Sequence, residues 1–331
     1  MDLLTAIVSS LTPEGEVVRQ NSIESIDLRI EGPPLNMDIS SYFARCSFPK
    51  LRYLRLSGGF RISSWDSFKS HIAALTHLSL ISDNRTLSST TPTKSQILSL
   101  LASNPNIRSL VLGSLTITDD GSDGSAFRVP LRHLERLYFV GNFRHVFPVL
   151  RQLELPERLD YMNLEFCGCT LEEVEGAIVL YIQGYLQHDL RFKDRLDICV
   201  HSTTTHVSLQ ASYGLDRLPQ QNTPYTIKAT LRGGASKAAR GKLCADTLAL
   251  LPRESIVRLK TSLPMDATEE IIAMMLNIET LYLVDIEVRD GFLMPNQHGQ
   301  DTHKKLLPSL QRLCLEDVQA EREIGDLWSP T

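Results

Sequence analysis

Three short segments carry residue types that bind metal ions or phosphate groups in other proteins. In HSTTTH, His201 and His206 are two potential metal ligands. No third ligand lies nearby, so we interpret them as polar residues of a hairpin turn. Cys167 and Cys169 lack the second cysteine pair of a zinc site. The basic, Gly-rich stretch at 232–242 lacks the Gly-Lys-Ser/Thr ending of a phosphate-binding loop, and a solvated loop is favoured.

The common enzyme motifs are missing from the sequence. It contains no G-x-S-x-G, P-loop, H-E-x-x-H or G-x-G-x-x-G pattern. We therefore predict that the protein is not an enzyme. We expect it to have no catalytic residue and to bind no cofactor and no metal. The alternative is an enzyme built around His201, His206 and Arg232, which would need a polar pocket that brings these three side chains together.

Composition and charge exclude several classes of partner. The chain has 331 residues, 34 Lys plus Arg against 39 Asp plus Glu, and a net charge of −5. Nucleic-acid binding normally requires a clustered basic excess, so we expect no nucleic-acid partner. No apolar run reaches the roughly 20 residues of a membrane span, so we expect no membrane partner. The six scattered cysteines suit buried free thiols in a reducing compartment, which predicts a cytoplasmic and/or nuclear protein.

A pattern of three apolar residues, L-x-x-L-x-L, recurs along the chain. It appears nine times: IESIDL, LRYLRL, LTHLSL, IRSLVL, LERLYF, LDYMNL, IVRLKT, IETLYL and LQRLCL. Start-to-start spacings are 28, 24, 32, 27 and 25 residues in the first six, and 22 and 32 in the last three. Leucine-rich repeats have this opening and a period of roughly 20–29 residues. The sequence therefore predicts an α/β leucine-rich-repeat solenoid, with a curved parallel sheet on the concave side and helices and loops on the convex side.

The segments between the strands divide the chain into five parts. Helices are predicted before several strands, including 94–103, and Thr170 and Glu173 form a capping box before another helix. Asn142 and Cys167 match the Asn or Cys position that follows the strand in the repeat. We predict an N-terminal helix or cap at 1–22, irregular repeats at 23–188, an irregular strand-and-helix insert at 189–252, C-terminal repeats at 253–318 and a tail at 319–331.

Several of these segments together resemble the leucine-rich-repeat region of F-box proteins from mushroom-forming (basidiomycete-type) fungi. The resemblance runs from about Ser22 to Val318, and its most specific part is the block 134–196, which begins LERLYFVGNFRHVFPVLRQLEL. It implies a substrate receptor of a cullin-RING ubiquitin ligase, in which the repeats hold a target protein and an F-box docks on a Skp-type adaptor. Only 22 residues precede the first repeat and they lack the Leu-Pro start of an F-box. Docking on the adaptor is therefore expected only if an F-box lies upstream of Met1.

The outward positions of the predicted strands supply the candidate binding surface. Tyr and Arg recur there, and both residue types dominate protein-binding hot spots. Exposed strand positions also favour Tyr for structural reasons, so no single residue is assigned a role. The alternative function is a repeat scaffold or adaptor unconnected to ubiquitin ligation. The candidate partner-binding residues on the concave face are Tyr53, Arg55, His77, Arg136, Tyr138, Tyr161, Asn163, Arg258, Lys260, Tyr282 and Arg312.

Overall fold

The segments with the L-x-x-L-x-L pattern form β-strands in the computed structural model of the protein. The chain divides into two units, Met1–Phe166 and Cys167–Thr331, and each is described by itself. The structure describes residues 18–19, 22–30, 37–44, 46–72, 74–82, 91–121, 128–176, 196–203, 205–213, 225–231, 235–263, 265–284, 287–288, 309–316 and 319–320.

The first unit alternates strands with short helices. Its elements in chain order are β1 (Val18–Arg19), β2 (Ser25–Ile30), β3 (Met37–Asp38), α1 (Ser40–Phe43), β4 (Cys46–Ser47), β5 (Tyr53–Gly58), β6 (Phe60–Arg61), α2 (Trp65–Ser70), β7 (His77–Ser82), α3 (Lys94–Ala102), β8 (Ser109–Gly113), β9 (Val129–Pro130), β10 (Arg136–Asn142), α4 (Phe143–Leu150), β11 (Leu153–Glu154) and β12 (Tyr161–Cys169), the last of which extends past the boundary.

The main sheet of the first unit follows the order of the chain. The strand order is β2-β5-β7-β8-β10-β12, and the pairs from β2 to β10 are parallel. The second residue of each repeat pattern pairs with its counterpart: Leu54 with Leu78, Leu78 with Leu110 and Leu110 with Leu137. Successive strands therefore align the sequence pattern without a shift.

A repeated backbone contact fixes this alignment. Before β8, the N–H groups of Arg108 and Ser109 both donate to the carbonyl oxygen of Thr76, at 2.7 and 3.1 Å. Thr76 and Arg108 occupy the same position in consecutive repeats, directly before the strand. The same two-to-one contact recurs before β5, β7, β10 and β12, with the acceptors Glu24, Arg52, Arg108 and Glu135 respectively.

Side chains alternate in direction along each strand, so each strand has a buried face and an outer face. Successive side chains of a strand point to opposite sides, so the patterned leucines share one side of the sheet. Leu54, Leu110 and Leu137 have no exposed surface. The helices cover this side, burying Trp65 and Phe68 of α2, four apolar residues of α3, and Phe143, Val146, Val149 and Leu150 of α4. Hydrophobic burial on one side thus holds the sheet and helices together.

The helix before β8 shows how one strand-and-helix segment is joined to the previous one. The predicted helix at 94–103 is confirmed as α3, with Thr93 and Gln96 in a capping box and Ser103 at the C-cap. Asn104 follows it and is 1% exposed. Its Oδ1 accepts from the N–H of Leu75 at 3.0 Å, and its Nδ2 donates to the carbonyl of Leu100 at 2.9 Å. The side chain thereby links the chain before β7 to the end of α3.

Short parallel strand pairs form a second line of contacts between neighbouring strand-and-helix segments. β1 pairs with β4, β3 with β6, and β9 with β11. A parallel bridge between Thr93 and Thr118 occupies the corresponding place near α3. Each pair joins segments that lie one repeat apart in the sequence, as the main strands do.

The second unit combines parallel strands with an antiparallel ribbon. Its elements are β13 (Leu196–Ser202), β14 (His206–Tyr213), β15 (Tyr225–Leu231), α5 (Lys237–Ala249), a 3₁₀ turn (Arg253–Ser255), β16 (Ile256–Thr261), α6 (Met265–Met274), β17 (Thr280–Val284), β18 (Glu287–Val288), β19 (Arg312–Glu316) and β20 (Gln319–Ala320). Residues 171–176 are helical, and Thr170 and Glu173 make the two hydrogen bonds of the predicted capping box.

The main sheet of the second unit has the order β15-β14-β13-β16-β17-β19. β14 is antiparallel to both of its neighbours, so the hairpin predicted around HSTTTH is confirmed, and β15 adds a third strand to it. β13, β16, β17 and β19 are parallel to one another. Each unit has an α/β architecture with a mostly parallel sheet. In the described part of the chain, no helix is long and apolar enough to cross a membrane.

Three details differ from the sequence prediction. The inward positions of β19 are not buried, since Leu313 is 37% and Leu315 is 58% exposed. Asn142 and Cys167, which match the Asn or Cys position of the repeat pattern, are not buried: Asn142 accepts from the N–H of Arg144 to cap α4, and Cys167 is exposed. The buried linking asparagine is Asn104, which precedes its strand, because the chain must satisfy the polar groups left between a helix end and the next strand.

A carboxylate joins β3 to the chain before α2. Asp38 accepts hydrogen bonds from the N–H and hydroxyl groups of both Ser40 and Ser63; the Ser40 hydroxyl lies 2.5 Å and both N–H groups lie 3.1 Å away. Burial by itself raises the pKa of Asp38, but the four hydrogen bonds outweigh it and hold the pKa below its ordinary value. The ionised carboxylate is therefore the form that stabilises this junction.

We expect Leu110→Ala to lower the free energy of unfolding by about 2–5 kcal/mol, because it leaves a cavity at a fully buried position of β8. Val111→Ala, on the outer face next to it, is the matched control and is expected to cost less than about 1 kcal/mol. Urea unfolding followed by circular dichroism measures both. Equal losses would contradict the inward orientation of Leu110.

We expect Asp38→Asn to destabilise the protein by about 1–2 kcal/mol at pH 7, because the hydrogen bonds to a charged acceptor are lost. The folded pKa of Asp38 is lowered, so its contribution is present above the unfolded pKa of about 3.9 and is lost as the pH falls through the folded pKa. Urea midpoints of the two proteins should converge below about pH 4. The exposed Glu157→Gln serves as control, and a pH-independent difference for Asp38→Asn would refute the interpretation.

Candidate functional site

The outer face of the first unit carries aligned rows of polar and aromatic side chains. At the start of the strands, Tyr53, His77, Ser109 and Arg136 pair in register across β5, β7, β8 and β10. Two residues further along, the next row contains Arg55, Ser79, Val111 and Tyr138. Each outward side chain is at least partly exposed. The structure therefore brings five of the predicted residues together on one surface: Tyr53, Arg55, His77, Arg136 and Tyr138.

The aromatic residues at the β5 side contact each other. The ring centroids of Tyr53 and His77 are 5.7 Å apart with an interplanar angle of 38°. His77 Nδ1 also lies 2.9 Å from the hydroxyl of Thr76. These two contacts hold the His77 ring against Tyr53 at the strand start.

On the β12 side, Tyr138 lies near two further side chains. Partial burial, the Glu165 carboxylate and Tyr161 together raise the pKa of Tyr138 above its ordinary value, so the phenol stays protonated and can donate a hydrogen bond. Asn163 is only 7% exposed. Its Nδ2 donates to Glu165 Oε1 at 3.2 Å. Asn163 therefore offers little surface for a partner, although its position on the outer face was predicted.

The two predicted arginines of the first unit, Arg55 and Arg136, differ in whether a carboxylate lies close enough to offset their charge. Arg55 Nε lies 4.0 Å from Asp27 Oδ1 on the neighbouring strand. Arg136 is exposed and has no ion-pair partner among the residues that the structure describes. Arg136 therefore presents an uncompensated positive charge on the outer face.

In the second unit, the predicted cations are largely held by carboxylates. Arg258 lies 3.5 Å from Asp197, and both side chains are mostly buried, with 25% and 16% exposed. Lys260 lies 3.2 Å from Glu316, two strands away on β19. Tyr282 lies between them on β17, paired with Lys260, and Arg312 is exposed at the start of β19. We interpret Arg258 as a structural residue of this unit.

An open groove at the strand starts of the first unit was missed by the sequence prediction. Its volume is about 290 Å³, and it is formed by the residues that precede β8, β10 and β12. Arg108 is 3.2 Å from Glu135, and Arg158 is 3.9 Å from Asp160. The feature of the sequence that could have indicated this groove is the exposed residue directly before each strand. The lining residues are Arg108, Arg132, His133, Leu134, Glu135, Pro156, Arg158 and Asp160.

The two histidines of HSTTTH lie at the β13–β14 turn, as predicted. His201 Nδ1 is 2.8 Å from the Ser262 hydroxyl, and His206 Nδ1 is 2.7 Å from the Thr205 hydroxyl. Arg232 lies outside the described residues. Within the part of the chain that the structure describes, no three His, Cys, Asp or Glu side chains form a group able to hold a metal ion.

All six cysteines are free thiols, but they differ in environment. Burial raises the pKa of Cys169 and of Cys244 to about 12, so both thiols are unreactive at neutral pH. Cys167 is exposed, which corrects the expectation that the cysteines are buried. Burial also raises the pKa of Cys199, on the outer face of β13, while Lys260 opposes the increase.

Comparison of the chain with models of protein families, with curated proteins and with solved structures finds no match. The functional assignment therefore depends on the surface described above.

Arg258 and Arg136 provide a matched pair that separates a structural role from a binding role. We expect Arg258→Met to lower the free energy of unfolding by about 1–3 kcal/mol, because Asp197 loses its ion-pair partner in a mostly buried place. Arg136→Met is expected to change it by less than about 0.5 kcal/mol, since its side chain is exposed. Urea unfolding of both variants is the measurement. A larger loss of unfolding free energy for Arg136→Met than for Arg258→Met would reverse the two assignments.

Proposed function

We propose that the chain is a leucine-rich-repeat protein without enzymatic activity, and that it binds a target protein on the outer, concave face of its strands. The repeat assignment is supported by the backbone contact that recurs before five successive strands, with the spacing of the sequence pattern. The short parallel pairs beside the helices recur with the same spacing. This arrangement is what stacked repeats require, because one repeat cannot bury its apolar side alone.

The observation that carries the binding role is the composition of the outer face in the first unit. Tyr53, His77, Arg136 and Tyr138 lie on β5, β7 and β10, in two aligned rows that run across four neighbouring strands. Their side chains are partly exposed although the opposite side of the same strands is fully buried. Rigid aromatic and arginine side chains on a fixed sheet give a large contact area at a small entropic cost, as in protein-binding hot spots.

The resemblance to the repeat region of fungal F-box proteins extends this proposal to a substrate receptor of a ubiquitin ligase in the cytoplasm or nucleus. In that role the outer face holds the target, and an F-box upstream of the repeats docks on a Skp-type adaptor. The second candidate is a scaffold or adaptor without a link to ubiquitin. Co-precipitation of the natural gene product with a Skp-type adaptor and a cullin supports the first role, and their absence from the precipitate supports the second.

Site-specific photo-crosslinking in the native host cells tests the binding surface. A photo-crosslinking aromatic amino acid replaces Tyr138 in one protein and Tyr53 in another, which preserves the bulk of both side chains. The matched control carries the same amino acid in place of Arg151, an exposed residue at the C-cap of α4. We expect both outer-face positions to yield the same crosslinked protein and the control to yield none.

Mass spectrometry identifies the crosslinked products. No adduct from Tyr53 and Tyr138, or the same adducts from these positions and from Arg151, would rule out the outer face of the first unit as the binding surface. Each labelled protein must retain the urea midpoint of the parent protein for the comparison to count.

A further inference from the structure

The outer face of the first unit contains a strip of short side chains between two groups of longer ones. Ser79, Ser109 and Val111 on β7 and β8 form this strip, which we name the Ser109 trough. Tyr53 and His77 flank it on one side, and Arg136 and Tyr138 on the other. Neighbouring strands are about 4.8 Å apart, so β5 and β10 are about 14 Å apart across the trough. One extended polypeptide segment fits within this width.

The trough differs in chemistry between its two ends. At the strand starts it meets Arg136 and His77. The groove lined by Arg108, Arg132 and His133 lies before the same strands, and Arg108 directly precedes Ser109 in the sequence. At the strand ends the outward residues are Ile81, Gly113 and Val140. The Ile81 side chain covers Gly113, because a Cβ on that glycine would lie 3.2 Å from Ile81 Cγ2. On β7, β8 and β10 one end is therefore basic and the other apolar, and the Glu165 carboxylate of β12 lies near Tyr138.

The two carboxylates that line the groove are already engaged. Glu135 lies 3.2 Å from Arg108, and Asp160 lies 3.9 Å from Arg158. Arg132 and Arg136 are exposed and have no ion-pair partner within the described part of the chain. A local positive charge thus remains at this end, on a protein whose net charge is −5. Such a patch attracts a negatively charged group and repels a positively charged one.

We infer that the Ser109 trough binds an extended segment of the partner protein that carries anionic side chains at one end and an apolar side chain at the other. This inference rests on the proposed function and specifies its partner. The anionic side chains contact Arg136 and Arg132 at the strand starts, where the planar guanidinium groups donate paired hydrogen bonds to carboxylate or phosphate oxygens. The apolar side chain packs on Ile81 and Val140, about 13 Å or four residues away along the strands.

Fluorescence anisotropy with three labelled peptide pools tests the inference. Each peptide has about nine residues, the length needed to cover the trough and the groove. The first pool has a fixed Asp/Glu triplet, the second a phosphoserine, and the third an uncharged Ser/Gln triplet. In all three pools a leucine lies about four residues from the triplet or the phosphoserine, on its N-terminal or its C-terminal side. The other positions carry mixed residues. We expect at least one anionic pool to bind about tenfold more tightly than the uncharged pool, and the binding to weaken as salt is added. The first two pools distinguish carboxylate from phosphate as the preferred anion.

Charge reversal locates the binding. Arg136→Glu should weaken binding of the preferred pool by at least about tenfold, and Arg136→Gln by less, because it removes the charge without reversing it. Arg151→Glu makes the same charge change on the helix side and should leave binding unchanged. Equal binding of all three pools, or equal loss with Arg136→Glu and Arg151→Glu, would overturn the inference. If the crosslinks at Tyr53 and Tyr138 form normally in the Arg136→Glu protein, the proposed function stands and the anionic preference fails.

Discussion

The fold of the first unit depends on one backbone contact that is repeated from strand to strand. The carbonyl group before each strand accepts the N–H groups at the start of the next, as Thr76 does for Arg108 and Ser109. This contact sets the register before any side chain is considered. A slip of one residue would turn every leucine of a strand to the outer side, so the register also fixes which residues are buried and which face outward.

The same constraint explains why the candidate surface is a property of several repeats. Tyr53, His77 and Arg136 are far apart in the sequence but lie in one row because each occupies the first position of its strand. Their spacing is set by the hydrogen bonds between strands and not by contacts among the side chains themselves. A surface built in this way tolerates exchange of its outward residues, since the buried leucines carry most of the stability.

The two units use outward charges differently. In the second unit Arg258 and Lys260 lie against Asp197 and Glu316, so their charges are largely compensated within the sheet. In the first unit Arg136 has no such partner among the described residues, and the groove beside it contains further arginines. Arginines at the same position of the sequence pattern thus have different surroundings, which depend on the acidic residues of neighbouring strands.

The sequence by itself determined the strands of the L-x-x-L-x-L pattern, their outward rows and, except on β19, their buried residues, because an apolar period is local. It also indicated the helix that α3 forms and the ribbon of β13 and β14. The tertiary structure alone decided which arginines are neutralised, that Asn104 links neighbouring repeats, and that a groove opens before β8, β10 and β12. These features depend on distances between residues more than 20 positions apart, which a one-dimensional pattern does not contain.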